Sequence, residues 1–176
     1  MKKKFLMLID QEIKNHLAGK PAYIKIKINH VTDTQMVQKV YDAAMAGVKV
    51  DMLVRGNCAL VDNDETKSNL KIKGIIDRYL EHARIYCFCN GGDEKIFLGS
   101  ADWMTRNLDG RIEVVTPVYD PDIKEECRRV VEWGFNDTTN GRWVAGEEKY
   151  TEPTTPFRSQ EALYSYYSNC QTTQSK

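Results

Sequence analysis

The chain has 176 residues, which is enough for one domain with a hydrophobic core. Hydrophobic residues make up 41% and charged residues 28%, a composition that excludes a wholly disordered chain. Lysine plus arginine and aspartate plus glutamate both number 25, so the net charge is zero and no chain-wide basic surface for nucleic acid is indicated. Any anion site must therefore be local.

The sequence indicates neither a membrane span nor a secretory signal. No apolar run approaches the roughly 20 residues that cross a bilayer, and the apolar run 5–9 is too short for a signal core. Of five cysteines, only Cys87 and Cys89 are close, at a spacing that fits neither a redox CxxC pair nor a zinc knuckle. We expect reduced structural thiols and a cytoplasmic protein, either free or peripheral at the membrane.

The first predicted elements are a helix over residues 3–18 and a strand over residues 22–29. Gly19 and Pro21 end the helix, because neither residue continues a helix well. Its apolar side chains recur at helical spacing, at Leu6, Ile9, Ile13 and Leu17. In the strand, isoleucines alternate with polar residues at Lys25, Lys27 and Asn29.

A parallel crossover unit is predicted next. Thr32 and Gln35 fit a capping box, and an apolar stripe with helical period follows up to Gly47. Residues 48–54 then read as a second strand. A strand, a helix and a strand in so few residues predict parallel pairing with a right-handed connection. After a polar loop over 62–69, we expect a helical segment over about 71–80.

A β-hairpin is predicted from residues 84–89 and 95–100. The linking Asn90-Gly91-Gly92-Asp93 contains glycines that allow the positive φ angles of a tight turn. Such a turn pairs residues whose numbers sum to about 183, by the geometry of antiparallel strands. It places His82 opposite Ala101, between Ser100 and Asp102.

The chain is therefore predicted to be a single α/β domain over residues 1–146, with its core over 22–136. A further strand is expected over 111–118 and a terminal helix over 121–136. Beyond Gly146 the sequence is polar and lacks clear periodicity, so we expect an extended or disordered tail over 147–176.

Four motifs resemble the C-terminal domain of bacterial polyphosphate kinase. They are Val54-Arg55-Gly56, LEHARIY over 80–86, Asn90-Gly91-Gly92 and, most specific, SADWMTRNLD over 100–109. The resemblance runs from about Lys3 to Asn136 and, faintly, to 157–162. It implies a phospholipase D-like mixed sheet flanked by helices, the second of two such halves in the enzyme.

The resemblance also implies a function. The family transfers the terminal phosphate of ATP reversibly to inorganic polyphosphate, with Mg²⁺ and a phosphohistidine intermediate. The motif around His82 matches the partner histidine, while the phosphorylated histidine belongs to the other half. We therefore expect an excised second half, inactive alone and without identifiable metal ligands. Its expected partners are ATP or ADP, polyphosphate, the remaining domains of the same enzyme and, at full length, further copies of it.

One departure from the wider phospholipase D-like pattern concerns the phosphate-facing cation. That pattern has His-x-Lys and a Gly-Ser-x-Asn turn, whereas this chain has Arg84 and ends the turn with Asp102. Arginine fits phosphate oxygens bidentately where lysine offers a point charge. The substitution favours a highly charged polyphosphate over a lipid diester.

The predicted catalytic residues are His82 and Glu113. Histidine titrates near neutrality, so His82 can give a proton to a leaving oxygen in one direction and accept it in the other. A carboxylate on its second ring nitrogen would hold the tautomer, and the resemblance points to Glu113, with Asp102 as the alternative. Arg55 follows a strand, where open α/β sheets place ligands, and is predicted to clamp phosphate.

The remaining site residues are predicted to contact ATP or phosphate. Lys27 and Asn29 share one face of the first strand, although an edge position would also explain this lysine. Salt bridges are the alternative for the arginines. The rest of the predicted contacts are Arg84, Ser100, Asp102, Arg106 and Asn107, with Arg111 on the same path. His16 and His30 are read as ordinary surface residues.

Two other functions are open at this point. A phospholipase D-like phosphodiesterase or nuclease built as a dimer would bring two copies of His82 together, one as nucleophile and one as acid. A non-catalytic fragment would fold and bind polyphosphate or the other half of the enzyme. Cleavage of a diester by this chain alone would favour the first.

Overall fold

The computed structural model describes residues 1–61, 63–66, 68–144 and 155–174, the last four by their backbone alone. The described residues form one sheet flanked by helices. The helices are α1 (Lys2–Leu17), α2 (Thr34–Met45), α3 (Thr105–Gly110), α4 (Pro121–Phe135) and α5 (Ser159–Gln174). The strands are β1 (Tyr23–Ile28), β2 (Lys49–Val54), β3 (Leu70–Ile75), β4 (Ile85–Phe88), β5 (Lys95–Gly99), β6 (Val115–Val118) and β7 (Gly141–Trp143).

The sheet is mixed, in the order β6-β5-β4-β1-β2-β3-β7. Strands β1, β2 and β3 are parallel, and α2 joins β1 to β2 as the crossover unit predicts. Strand β4 runs antiparallel to β1, and β5, β6 and β7 each run antiparallel to their neighbour. Consequently β4 begins, and β5 ends, at the edge where β1 and β2 have their carboxyl ends. The α/β fold with a mixed sheet is confirmed.

Each face of the sheet carries its own hydrophobic cluster. On one face, α1 and α2 pack on β1, β2 and the alternate residues Tyr86 and Phe88 of β4. Trp103 is fully buried there, with its ring centroid 5.6 Å from that of Phe5. On the other face, α4 covers Ile85 and its neighbours in β4 and β5. Burial on both faces fixes the register of the central strands, because a slip of one residue would exchange the two faces.

The β4–β5 hairpin has the predicted register. Ile85 pairs with Leu98 and Tyr86 with Phe97, so partner numbers sum to 183. The turn uses the predicted glycines, and Gly91 and Gly92 have φ angles of 70° and 104°. This register brings the residues before β4 beside those after β5.

Two predicted elements are wrong. Residues 71–80 were expected to be helical, yet Leu70–Ile75 is strand β3, parallel to β2. Leu70, Ile72 and Ile75 are buried in it, and Lys73 is buried as well, with its ammonium donating to the carbonyl of Phe135 at 2.8 Å. The capping box at Thr32 is also wrong, since Asp33 caps α2 by accepting from the Met36 amide at 3.1 Å.

The C-terminal part of the chain is more ordered than predicted. Ser159–Gln174 forms helix α5 within the stretch expected to be extended or disordered. Aromatic contacts hold it on α4, with the Trp133 and Tyr166 rings 5.9 Å apart and the Arg129 guanidinium 4.1 Å from the Tyr166 ring. Residues 147–154, 175 and 176 lie outside the described residues, and the division of the chain at residue 146 stays a prediction. Among the described helices, none is both long and apolar enough to cross a bilayer.

Candidate active site

A polar cavity of about 410 Å³ opens at the sheet edge where β1 and β2 end and β4 begins. Most of the predicted site residues meet there, although they come from five separate segments of the chain. Eleven residues line it: Asn29, His30, Arg55, His82, Arg84, Ser100, Asp102, Arg106, Asn107, Arg111 and Glu113. Four arginines against two carboxylates leave an excess of two positive charges, so this cavity favours anions in a chain of zero net charge.

A buried ion pair forms the floor of the cavity. Arg84 donates from Nε and Nη2 to the two carboxylate oxygens of Asp102, both at 2.9 Å. The backbone amides of Asn29 and His30 also donate to this carboxylate, at 3.0 and 3.1 Å. Burial alone would raise the pKa of Asp102, but these hydrogen bonds outweigh burial and lower it. Asp102 is therefore ionised at neutral pH and joins β1 to the two hairpin strands.

Arg55 and Asn29 form the wall at the ends of β1 and β2. The Arg55 Nε donates to the Asn29 side-chain oxygen at 2.9 Å, leaving the outer guanidinium nitrogens for other partners. The side-chain amide nitrogen of Asn29, Nδ2, is buried and has no hydrogen-bond partner among the described residues. A buried donor without a partner is uncommon and costly, so an anion in the cavity is a natural acceptor for it.

Glu113 lies on the opposite wall. One of its oxygens accepts from the Ser100 hydroxyl and the other from the Asn107 amide nitrogen at 2.5 Å. These two hydrogen bonds lower the pKa of Glu113. The predicted contact from Glu113 or Asp102 to the ring of His82 is not formed in the structure, because other donors occupy both carboxylates.

His82 lies at the mouth of the cavity with an exposed side chain. Its ring nitrogen Nε2 is 3.3 Å from Arg84 Nη2, and its carbonyl accepts from Arg84 Nη1 at 3.3 Å. As the hairpin register predicts, Ser100 and Asp102 line the same cavity. The imidazole is thus accessible to a ligand, and an ion-paired arginine lies against it.

Comparison with known proteins identifies the family. The family model for polyphosphate kinase C-terminal domain 2 matches residues 1–163. The chain belongs to the polyphosphate kinase family. It is 43% identical over 164 residues to the polyphosphate kinase of Escherichia coli K12, covering 90% of this chain and 24% of that protein. Against the Salmonella typhimurium enzyme it is 45% identical over 141 residues, 80% of this chain and 20% of that protein. The chain thus spans about a quarter of the length of these curated relatives.

A solved structure supports the same assignment. The crystal structure of polyphosphate kinase from Porphyromonas gingivalis matches 98% of this chain and 27% of that chain, with a TM-score of 0.91 and 37% identity. The phospholipase D family member Nuc from Salmonella typhimurium matches 80% of this chain with a TM-score of 0.56 and 11% identity. That likeness shows the fold alone, and it confirms a phospholipase D-like sheet in this polyphosphate kinase domain.

The structure does not bring Lys27 to the cavity of this polyphosphate kinase domain. The side chain is buried, and its ammonium forms an ion pair with Glu81, the residue before His82. Lys27 was predicted to contact phosphate together with Asn29 because the two share a strand face. Lys27 lies within β1, however, whereas Asn29 follows its last residue. Only Asn29, at the strand end, reaches the cavity.

His30 is the site residue that the sequence prediction missed. It lines the cavity, and its Nδ1 accepts from the Asn57 backbone amide at 2.9 Å. Because Nδ1 is an acceptor, a neutral ring carries its proton on Nε2 and can donate it. The available signal was position: His30 follows Asn29 directly after β1, at the same sheet edge as Arg55.

The carboxylates of the cavity are already engaged by donors of the protein. Magnesium binds oxygen ligands in near-octahedral geometry, whereas Asp102 and Glu113 already accept hydrogen bonds from Arg84, Ser100 and Asn107. Over the described ranges, no three histidine, cysteine or acidic side chains lie together as a metal cluster.

Proposed function

We propose that this chain is the second of two phospholipase D-like halves in an enzyme that transfers the terminal phosphate of ATP reversibly to inorganic polyphosphate. The observation that carries the proposal is the arginine-lined cavity around His82, in a domain of the polyphosphate kinase family. Phosphoryl transfer depends mainly on positioning and on neutralising the phosphate oxygens. A cavity with excess positive charge provides both.

His82 is proposed as the acid–base partner of a histidine in the other half. In the forward direction the P–O bond to ADP breaks and a P–N bond to that other histidine forms, while His82 gives its proton to the leaving oxygen. The terminal oxygen of polyphosphate then attacks the phosphorus, the P–N bond breaks, and His82 takes up the proton that the attacking oxygen carried. Its exposure at the cavity mouth suits a group shared between two halves.

The arginines divide into two roles. Arg55 has outer nitrogens available, and Arg106 and Arg111 form no salt bridge with any residue in the described ranges, so these three are proposed to bind phosphate oxygens. Arg84 is held by Asp102 and lies against His82, so its proposed role is to orient the histidine and the near side of the phosphate.

Glu113 is proposed to act without touching His82. Through Ser100 and Asn107 it fixes the loop after β5 and the start of the stretch before β6. Lys27, as an ion-pair partner of Glu81, supports the segment that carries His82 rather than the phosphate itself.

Several further features belong to the proposed whole enzyme. ATP or ADP would enter with Mg²⁺ bound to its phosphates rather than to a cage in this domain. The remaining domains would supply the phosphorylated histidine and the adenine site. We also propose that the whole enzyme is a homo-oligomer in the cytoplasm, either free or peripheral at the membrane.

A phosphodiesterase built as a dimer is the second candidate, and only the fold-level likeness to Nuc favours it. Two assays separate the candidates. Full-length enzyme given ATP should acquire acid-labile phosphate on a histidine outside these 176 residues, and the isolated chain should not cleave a phosphodiester. Phosphate on His82, or diester cleavage by the chain alone, would favour the dimer and contradict the kinase proposal.

A further inference from the structure

The segment that carries His82 has little structure of its own. Residues 76–84 link β3 to β4 without a helix or strand, and the side chains of Ile76, Tyr79, Leu80 and His82 are exposed. A loop with few buried apolar contacts is free to move unless other contacts hold it. Acid–base catalysis needs the imidazole within hydrogen-bond reach of the reacting oxygen, so the loop needs external support.

Gln160, in the first turn of α5, supplies that support. Its side-chain oxygen accepts from the Tyr79 amide at 2.8 Å, and its nitrogen donates to the Tyr79 carbonyl at 2.8 Å. The same nitrogen donates to the Glu81 carboxylate at 2.9 Å. Gln160 is only 7% exposed, so these hydrogen bonds are shielded from water. The Gln160 side chain thus binds the residues on either side of Leu80, which are Tyr79 and Glu81, and Glu81 directly precedes His82.

Two ionic contacts hold the same loop. Arg158 donates from Nε and Nη2 to both carboxylate oxygens of Asp77, at 2.9 and 2.7 Å. Lys27 of β1 holds the other oxygen of Glu81. The loop is therefore held at its start by Arg158 and beside His82 by Gln160 and Lys27.

The start of α5 is itself fixed to the body of the domain. The Asp137 carboxylate, fully buried after α4, accepts from the amide and the hydroxyl of Ser159, both at 2.7 Å. Its other oxygen accepts from backbone amides of the turn that leads to β7. Ser159 thus fixes the position of the backbone between Arg158 and Gln160.

We propose that Gln160, supported by Arg158, is a positioning residue for His82, so that the C-terminal helix sets the geometry of the acid–base step. This inference rests on the proposed function of His82. The alternative is that these contacts only attach α5 to the domain. The two accounts differ in whether loosening Gln160 changes the rate of transfer at constant stability and constant binding.

The test compares Gln160→Met with the parent and with a control, Tyr164→Met. Methionine retains the length of glutamine but removes its hydrogen bonds. Tyr164 is exposed on the same helix. In the 176-residue chain, ¹⁵N relaxation at His82 and Ala83 is measured. Kinetics are measured with the same substitutions in a full-length polyphosphate kinase that carries this chain.

The expected result is an order parameter at His82 that falls from about 0.85 to below about 0.6, with β1 unchanged. In the full-length enzyme, kcat falls about tenfold or more, while KM for polyphosphate stays within about twofold. The control changes neither quantity. If Gln160→Met does not fold, Gln160→Glu, which keeps the acceptor for the Tyr79 amide but places a carboxylate against Glu81, takes its place with the same expectations.

Unchanged motion at His82, or a normal kcat despite a mobile loop, would overturn the inference. A change in KM alone would also overturn it. The parallel variant His82→Ala separates the two proposals: a normal rate in that variant rejects the catalytic role of His82, whereas the relaxation data still report whether Gln160 holds the loop.

Discussion

Arg84 and Asp102 face each other across the β4–β5 hairpin with both carboxylate oxygens bound at 2.9 Å. Their side chains are 12% and 6% exposed, so water screens the pair poorly. Because its guanidinium is engaged by Asp102, we propose that Arg84 shapes the site more than it binds phosphate. The arginine that replaces the lysine of the wider phospholipase D-like pattern thus gains an ion-pair partner in the aspartate that replaces the asparagine.

Loss of Arg84 should therefore destabilise the domain. In Arg84→Ala, Asp102 is left as a buried carboxylate without its cation, and the free energy of unfolding should fall by about 3 kcal/mol. Urea denaturation of the isolated chain measures this. Arg106→Ala, a cavity arginine without a salt bridge to the described residues, is the control and should change stability by less than about 0.5 kcal/mol. Equal stability of both variants would contradict the structural role of the pair.

Arg55→Ala should chiefly weaken anion binding. Arg55 lines the cavity, and its Nε donates to the Asn29 side-chain oxygen. Loss of a charge-assisted contact should weaken binding of tripolyphosphate about tenfold or more, with stability lowered by no more than about 1 kcal/mol. Calorimetric titration measures the binding, and Arg55→Lys should retain part of it because the charge remains. Unchanged affinity in Arg55→Ala would remove Arg55 from the phosphate site.

The Asp77–Arg158 ion pair predicts a dependence of stability on pH. The hydrogen bond from Arg158 lowers the pKa of Asp77 below its ordinary value. A lowered folded-state pKa gives stability that is fully present above the unfolded value of about 3.9 and is lost as the pH falls through the folded value. The stability difference between the parent and Asp77→Asn should therefore be larger at about pH 7 than at about pH 2.5. Urea denaturation at the two pH values measures it, and a constant difference would contradict the pair.

The sequence was sufficient for the elements with strong local patterns. Alternating isoleucines predicted β1, and the two glycines of the turn predicted the register that sets His82 beside Ser100 and Asp102. Strand β3 was missed although Leu70 to Lys73 alternate as the residues of β1 do, because the helical prediction took in residues 76–80, which follow the strand. Pairing with β2 and the carbonyl partners of Lys73 make the segment a strand.

The sequence predicted which residues form the site better than it predicted the hydrogen bonds between them. The family motifs predicted that Arg55, His82 and Arg84 belong to one site. The hydrogen bonds in that site depend on which donors reach each carboxylate, and the sequence alone does not show this. Glu113 lines the same cavity as His82, yet its carboxylate accepts from Ser100 and Asn107. The support from Gln160 joins residues about 80 positions apart and has no local signal.

The isolated chain should lack ATP-to-polyphosphate activity. The histidine that the proposal assigns as nucleophile lies in the other half, so His82 has no phosphoryl group to act on. A radiometric assay with pure chain, ATP and polyphosphate measures this, and full-length enzyme is the positive control. Turnover by the pure chain would contradict the division of the two histidines between the halves.

The most direct measurement is the transfer rate of His82→Ala in a full-length polyphosphate kinase that carries this chain. General acid–base catalysis typically contributes about 10²- to 10⁴-fold, so the rate should fall by at least about 100-fold. Because His82 is exposed, the stability of the enzyme should not change. Formation of the acid-labile phosphohistidine elsewhere in the enzyme should slow as well, since His82 is proposed to protonate the ADP oxygen in that step. A rate within about threefold of the parent, in a correctly folded enzyme, would contradict the assignment of His82 as the acid–base partner.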